Sequence, residues 1–208
     1  MTAEKQSALQ TIEEKRDLIT GIADKIWEFA ELSLQEFKSA AAYCEALEKE
    51  GFEVERGTCN IETAFAASYG HGRPYIGLLA EYDALSGLSQ EAGLLERKAI
   101  QKGGNGHGCG HNLLGAGAFA AALGVKAYLE KNKMEGTVIL YGCPGEEGGA
   151  AKAFMARDGL WKKLDAALTW HPEDVNEVAT GSSNSCIQTQ YKFTGTASHA
   201  AGPPEMGR

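Results

Sequence analysis

Five consecutive apolar residues, Ile76-Gly77-Leu78-Leu79-Ala80, constrain the fold of this chain more than any other feature. A strand with no polar face must be covered on both sides, which places it inside a sheet layered between helices. Thr137–Cys143 has the same texture. Between the two, residues 86–110 are too rich in glycine for a regular element, and residues 112–131 are rich in Ala and Leu and predict a helix. A helix over 150–160 and a short strand over 166–170 follow. Strand, loop, helix, strand, loop, helix, strand is the order of an α/β layered domain. Upstream, Leu9, Ile12, Ile19, Ile22, Ile26, Phe29 and Ala30 recur at helical spacing and predict one long helix over 7–36. A second helix over 38–50 stops at Gly51. Strands are expected over 52–57, 63–68 and 75–82.

Texture changes near Gly181. Residues 186–195 alternate through Ile187, Thr189, Tyr191 and Phe193, as an exposed strand would. The expected organisation is therefore an α/β layered domain over 1–180 and the start of a second unit over 181–208. That second unit does not close before Arg208, so the chain is expected to be part of something longer.

The charge balance narrows the partners. Twenty-eight acids face 20 bases, a net charge of −8, and no Lys/Arg cluster is present. Nucleic acid is not an expected partner, because phosphate contacts need clustered cations. The first 16 residues are polar, unlike a signal peptide, and no run of the length of a membrane span is read from the sequence. Five unevenly spaced cysteines suggest reduced thiols and a cytoplasmic location.

Chemistry-bearing residues gather at the ends of the expected strands: Asp83 after 75–82, Glu146 and Glu147 after 137–143, His171 after 166–170. Ligands of open α/β sheets sit beyond the carboxyl ends of strands. Cys109 and His111 stand one glycine apart in the loop Gly106-His107-Gly108-Cys109-Gly110-His111. Thiolate, imidazole and carboxylate are all donors for a divalent metal. Cys109, His111, Glu147 and His171 are thus candidate ligands, with Glu146 beside them for proton transfer. Taken singly, each has a plainer reading: an acidic pair is ordinarily surface, a lone Cys packing, a lone His structural. His71 reads as surface and His107 as local or second-layer support. The glycine loop lacks the Lys-Ser/Thr ending of a phosphate-binding loop. A thiol hydrolase using Cys109 with His111 as base is a further alternative, but it leaves Glu146, Glu147 and His171 unexplained.

Four motifs in order carry a family resemblance: Gly-His-Gly-Cys-Gly-His-Asn (106–112), Pro-Gly-Glu-Glu-Gly-Gly (144–149), Trp-His-Pro (170–172) and Ala-Ser-His-Ala-Ala-Gly (197–202). The chain resembles the amidohydrolases related to aminoacylase and carboxypeptidase G, in the branch with a Cys-Gly-His metal motif. The resemblance implies a zinc-peptidase-like layered catalytic domain, with a mixed sheet flanked by helices and a smaller α+β lid domain beginning near 181. It implies two divalent metal ions, Mn or Zn, held by Cys109, His111, Glu147 and His171. Glu146 would be the general acid/base, Asp83 an orienting carboxylate, and His199 an oxyanion donor from the lid. The implied reaction is hydrolysis of an N-acyl amino acid, plausibly an aroyl-glutamate, by a homodimer formed through the lid or a pair of homologous subunits. A non-catalytic domain or subunit of such an enzyme is the competing expectation. Ser86 departs from the Pro that relatives commonly have there, and one further ligand His is expected beyond Arg208.

Overall fold

A computed structural model describes residues 2–178, 182, 184, 185, 187, 189 and 191–207. They form two compact units, Met1–Glu173 and Asp174–Arg208. The first unit contains α1 (Ala3–Glu14), α2 (Arg16–Phe29), α3 (Phe37–Lys49), β1 (Glu53–Arg56), β2 (Phe65–His71), β3 (Tyr75–Ala80), α4 (His111–Asn132), β4 (Gly136–Gly142), α5 (Ala151–Arg157) and β5 (Ala166–Leu168). The strands make one mixed sheet in the order β1-β2-β4-β3-β5. β1, β2 and β4 pair antiparallel, whereas β3 runs parallel to both β4 and β5. This is the α/β layered fold expected from the unalternating apolar runs.

The reason those runs do not alternate is visible in β4, which is buried throughout. Val138 and Leu140 join a core with Ile22 and Ile26 of α2, Tyr43 and Leu47 of α3, and Phe119 and Leu123 of α4. Ile139 and Tyr141 point the other way, into a smaller core with Met155 of α5, Trp161 and Leu164. Successive side chains of a strand face opposite sides, so a sheet covered by helices on both faces selects apolar residues at every position. Where β2 meets β4, Phe65 lies opposite Gly142, and a Cβ on Gly142 would fall on the Phe65 ring.

Three differences from the sequence expectation bear on the packing and the site. The single helix over 7–36 is two helices and a connector. The chain turns at Lys15, and Ala30 takes a left-handed conformation (φ 42°) that ends α2. The break lets Ile12 of α1 settle over Gly124 of α4 while α2 buries Ile22, Ala23 and Ile26. β2 begins at Phe65 and continues to His71, because its register with β4 runs from Phe65–Gly142 to His71–Gly136. β5 stops at Leu168, freeing Trp170 and His171 from the ladder. In addition, α4 is long and apolar enough to cross a membrane by length and composition, contrary to the sequence reading. It is the core helix of this unit, covering the sheet beside α2 and α3.

In the second unit, a single helical turn at Pro204–Met206 is fastened by the Ser198 hydroxyl, which donates to the Pro203 carbonyl at 2.7 Å. Of the strand expected over 186–195, Cys186, Gln188 and Gln190 lie outside the described residues. The remainder forms no strand, and Ile187, Tyr191 and Phe193 are exposed. Among the described residues no neighbouring edge pairs with this segment, and a lone strand is marginal in water.

Candidate metal centre

Because β3, β4 and β5 run parallel, their carboxyl ends open on the same edge of the sheet. The chain leaving β3 carries Glu81, Tyr82 and Asp83. The chain leaving β4 carries Glu146 and Glu147, and the chain leaving β5 carries His171. α4 starts at this edge. Gly110 caps it in a left-handed conformation (φ 79°), and His111 is its first residue rather than part of the preceding loop.

His111 is the centre of the arrangement. It is fully buried. Its Nδ1 lies 2.9 Å from Asp83 Oδ1 and 3.2 Å from the Asp83 carbonyl. Both partners only accept, so Nδ1 carries the proton and donates. Nε2 is then the open nitrogen. It has no hydrogen-bond partner, yet it lies 3.1 Å from Glu81 Oε2 and 3.8 Å from Glu146 Oε2. Burial works against a positive charge on this ring, but the Asp83 hydrogen bond and the charges of Asp83, Glu81 and Glu147 outweigh it and raise the His111 pKa. A nitrogen ringed by acids favours a cation at Nε2, whether proton or metal ion.

Asp83 holds more than the imidazole. Its Oδ2 accepts the Ser33 hydroxyl at 2.8 Å and the Glu147 N–H at 2.9 Å. Burial alone would raise its carboxyl, but the bonds from His111, Glu147 and Ser33 hold it below the usual range. The turn bearing the acidic pair is fixed a second time by Glu36. Its buried Oε1 accepts the Gly145 N–H at 2.8 Å.

His171 repeats the device seen at His111. Its Nδ1 donates to the Pro172 carbonyl at 3.0 Å, turning Nε2 to within 3.3 Å of Cys109 Sγ. The neighbouring Trp170 anchors this segment on α4: its indole N–H donates to the Leu114 carbonyl at 3.0 Å, over the bare face of Gly117. Cys109, His111 and His171 each offer a donor atom within 4.8 Å of the others, and so do Glu81, His111 and Glu146. Glu147 adds a carboxylate against Cys109 and a buried Oε1 without a partner.

These residues fit divalent metal. With bonds of about 2.0–2.3 Å, two ligand atoms on one ion stand roughly 3–3.5 Å apart. The separations of 3.1 Å at His111–Glu81 and 3.3 Å at Cys109–His171 fall in that range. Both histidines present Nε2 inward with Nδ1 tied to an acceptor, as ligating imidazoles do. The thiol-nucleophile alternative loses support. His171, not His111, adjoins Cys109, and burial together with the Glu147 carboxylate pushes the thiol up to about 11. Activated cysteines have depressed pKa values.

The expected residues Asp83, Cys109, His111, Glu146, Glu147 and His171 therefore converge. His199 belongs to the second unit, where its Nδ1 accepts the Ala201 N–H at 3.1 Å. His107 is structural: it is buried, its Nε2 donates to the Ile26 carbonyl at 2.9 Å, and its ring stacks on Trp27. His71 is exposed at the end of β2. Sequence reading gave no role to Glu81, Ser33 or Glu36. Glu81 had a signal, since it stands two residues before Asp83 on an extended chain and so shares its side. Tyr82 between them turns away to donate to the Thr63 carbonyl at 2.6 Å. Ser33 and Glu36 had none, because they come from the connector that the sequence reading placed at the end of a helix.

The model of peptidase family M20/M25/M40 matches residues 77–203. A p-aminobenzoyl-glutamate hydrolase subunit of Escherichia coli is 52% identical over 197 residues, covering 95% of this chain and 41% of that protein. The Xaa-Arg dipeptidase of Mus musculus is 29% identical over 98% of this chain and 46% of its own length. Among solved structures, a dinuclear metal-binding peptidase of the M20 family from Bacillus subtilis superposes with a TM-score of 0.62 at 22% identity, over 77% of this chain and 44% of that one. The chain thus spans under half the length of these relatives.

Proposed function

Since the chain belongs to peptidase family M20/M25/M40, we propose that the protein carrying it is a metal-dependent hydrolase of the amide bond in N-acyl amino acids. The substrate we favour is p-aminobenzoyl-glutamate, cleaved to p-aminobenzoate and glutamate. The support for that choice is the 52% identity to the Escherichia coli p-aminobenzoyl-glutamate hydrolase subunit. The observation that carries the hydrolytic reading is the bare, buried Nε2 of His111, facing carboxylates while Asp83 fixes its other nitrogen.

Two divalent ions, manganese or zinc, would be held by Cys109, His111, Glu147 and His171, with the mixed donor set compatible with either metal. Bound metal of this kind polarises a carbonyl and activates water for attack. The remaining work falls to the chain. Glu146 is half exposed beside the centre, where it takes a proton from the attacking water and delivers it to the leaving amine. Asp83 keeps His111 in the tautomer that presents Nε2, and by accepting the Glu147 N–H it also sets the acidic pair in place. His199 donates to the oxyanion that develops on the scissile carbonyl. In this reading residues 1–180 are the larger part of a catalytic domain, and 181–208 begin a lid. The lid joins two copies, or this subunit and a homologous one, in the cytoplasm.

Release of glutamate from p-aminobenzoyl-glutamate by the intact protein tests the reading. Activity should vanish on chelation and return with Mn or Zn. Hydrolysis that persists after the metal is stripped would refute it.

A further inference from the structure

We propose that Glu81 is a metal ligand of this centre, shaped for the task by Lys152. The inference rests on the metal-dependent reading above and adds a residue to its ligand set. Glu81 is a buried carboxylate, 6% exposed, directly past the end of β3. Its two oxygens have different surroundings. Oε1 is paired with the Lys152 ammonium, which reaches over from α5. Oε2 is turned to His111, 3.1 Å from Nε2.

Three observations make this more than a buried ion pair. First, Nε2 of His111 is fully buried and has no hydrogen-bond partner, so an electron pair is aimed at the space beside Glu81 Oε2. A buried polar atom left without a partner is costly unless something occupies its lone pair. Second, the 3.1 Å separation is that of two ligand atoms on one ion. Third, donor atoms of Glu81 and His111 lie within 4.8 Å of each other and of Glu146, the proposed proton-transfer residue, and His111 also lies within that distance of Cys109 and His171. His111 is common to both groups, and imidazole gives its one free nitrogen to a single ion. Glu81, at 3.1 Å from that nitrogen, would therefore share the ion that His111 binds. Lys152 fixes the carboxylate rotamer and occupies one oxygen, which leaves Glu81 a one-oxygen ligand. Lys152 is a positioning residue.

The test must separate a ligand from a mere counter-ion of Lys152. Glu81→Gln alone leaves the ammonium unpaired beside the core and risks misfolding. The Glu81→Gln/Lys152→Met double variant removes both charges and preserves the packing. Metal content of the intact protein, by elemental analysis, and metal affinity, by competition with a chromogenic chelator, are measured for wild type, Lys152→Met and the double variant. Thermal melting in chelator provides the folding control. The proposal predicts a double variant that melts like Lys152→Met in chelator but holds about one metal fewer per chain, or binds it at least ~10-fold more weakly than Lys152→Met does. A double variant with the metal content and affinity of Lys152→Met would overturn the ligand assignment and leave the hydrolase reading intact. A wild-type protein that holds no metal would overturn both.

Discussion

Asp83 Oδ1 lies 2.9 Å from His111 Nδ1, while Oδ2 of the same carboxylate accepts the Glu147 N–H at 2.9 Å. One side chain therefore couples the first residue of α4 to the turn after β4, and both are proposed ligands. Replacing Asp83 by Asn puts an amide donor where an acceptor is needed, against either His111 or the Glu147 and Ser33 donors. Metal affinity of Asp83→Asn should drop by about 10–100-fold. Chelator competition measures this; unchanged affinity would mean that Asp83 does not orient the site.

The role proposed for Glu146 is proton transfer rather than holding the centre together, in keeping with a side chain that is 43% exposed and 3.8 Å from His111 Nε2. Glu146→Gln should lower kcat by ~100–10,000-fold while metal content stays at the wild-type level. Steady-state kinetics paired with elemental analysis check both halves. A variant with full activity would remove Glu146 from the mechanism, and a large loss of metal would reassign it as a ligand.

Glu36 gives the fold a pH dependence of predictable sign. Burial pushes its carboxyl above the ordinary 4.5, so the folded chain keeps this proton to higher pH than the unfolded chain does. The folded state then binds more protons across that window, and stability falls as pH rises through it. Glu36→Gln keeps an acceptor for the Gly145 N–H and cannot ionise. Its melting temperature relative to wild type should therefore increase from pH 4 to pH 8. A constant difference between the two proteins would show that Glu36 is not perturbed.

Gly142 faces Phe65 across the β2–β4 pair, with no room for a methyl group over the ring. Gly142→Ala should cost about 1–3 kcal/mol through overpacking. Combining it with Phe65→Leu should recover part of the loss, because residues in direct contact do not act additively. Denaturant midpoints of the two single variants and the double variant give the coupling, and strict additivity would contradict the packing.

Much of this was legible in the sequence for a reason the structure makes plain. The runs at 76–80 and 137–143 do not alternate because β3 and β4 lie between helices, and chemistry at the ends of parallel strands follows from that topology. Glu147 and His171 follow recognisable strands, His111 opens a helix and Cys109 stands in the glycine loop just before it, so each had a local signal. The break at Lys15 and the connector at 30–36 were not legible, since the apolar period runs on through Ile19, Ile26 and Ala30. With the connector went Ser33 and Glu36, whose contacts with Asp83 and Gly145 span 50 and 109 residues. No local pattern encodes such contacts. The alternation over 186–195 falls partly on Cys186, Gln188 and Gln190, outside the described residues, and the described remainder forms no strand.

The central claim is that Cys109, His111, Glu147 and His171 hold a two-metal hydrolytic centre. Elemental analysis of the intact protein, read alongside glutamate release before and after chelation, tests it most directly. About two equivalents of Mn or Zn per chain are expected, lost together with activity on chelation and regained together on adding metal back. Full hydrolysis by a protein with less than about a tenth of an equivalent of metal would contradict it.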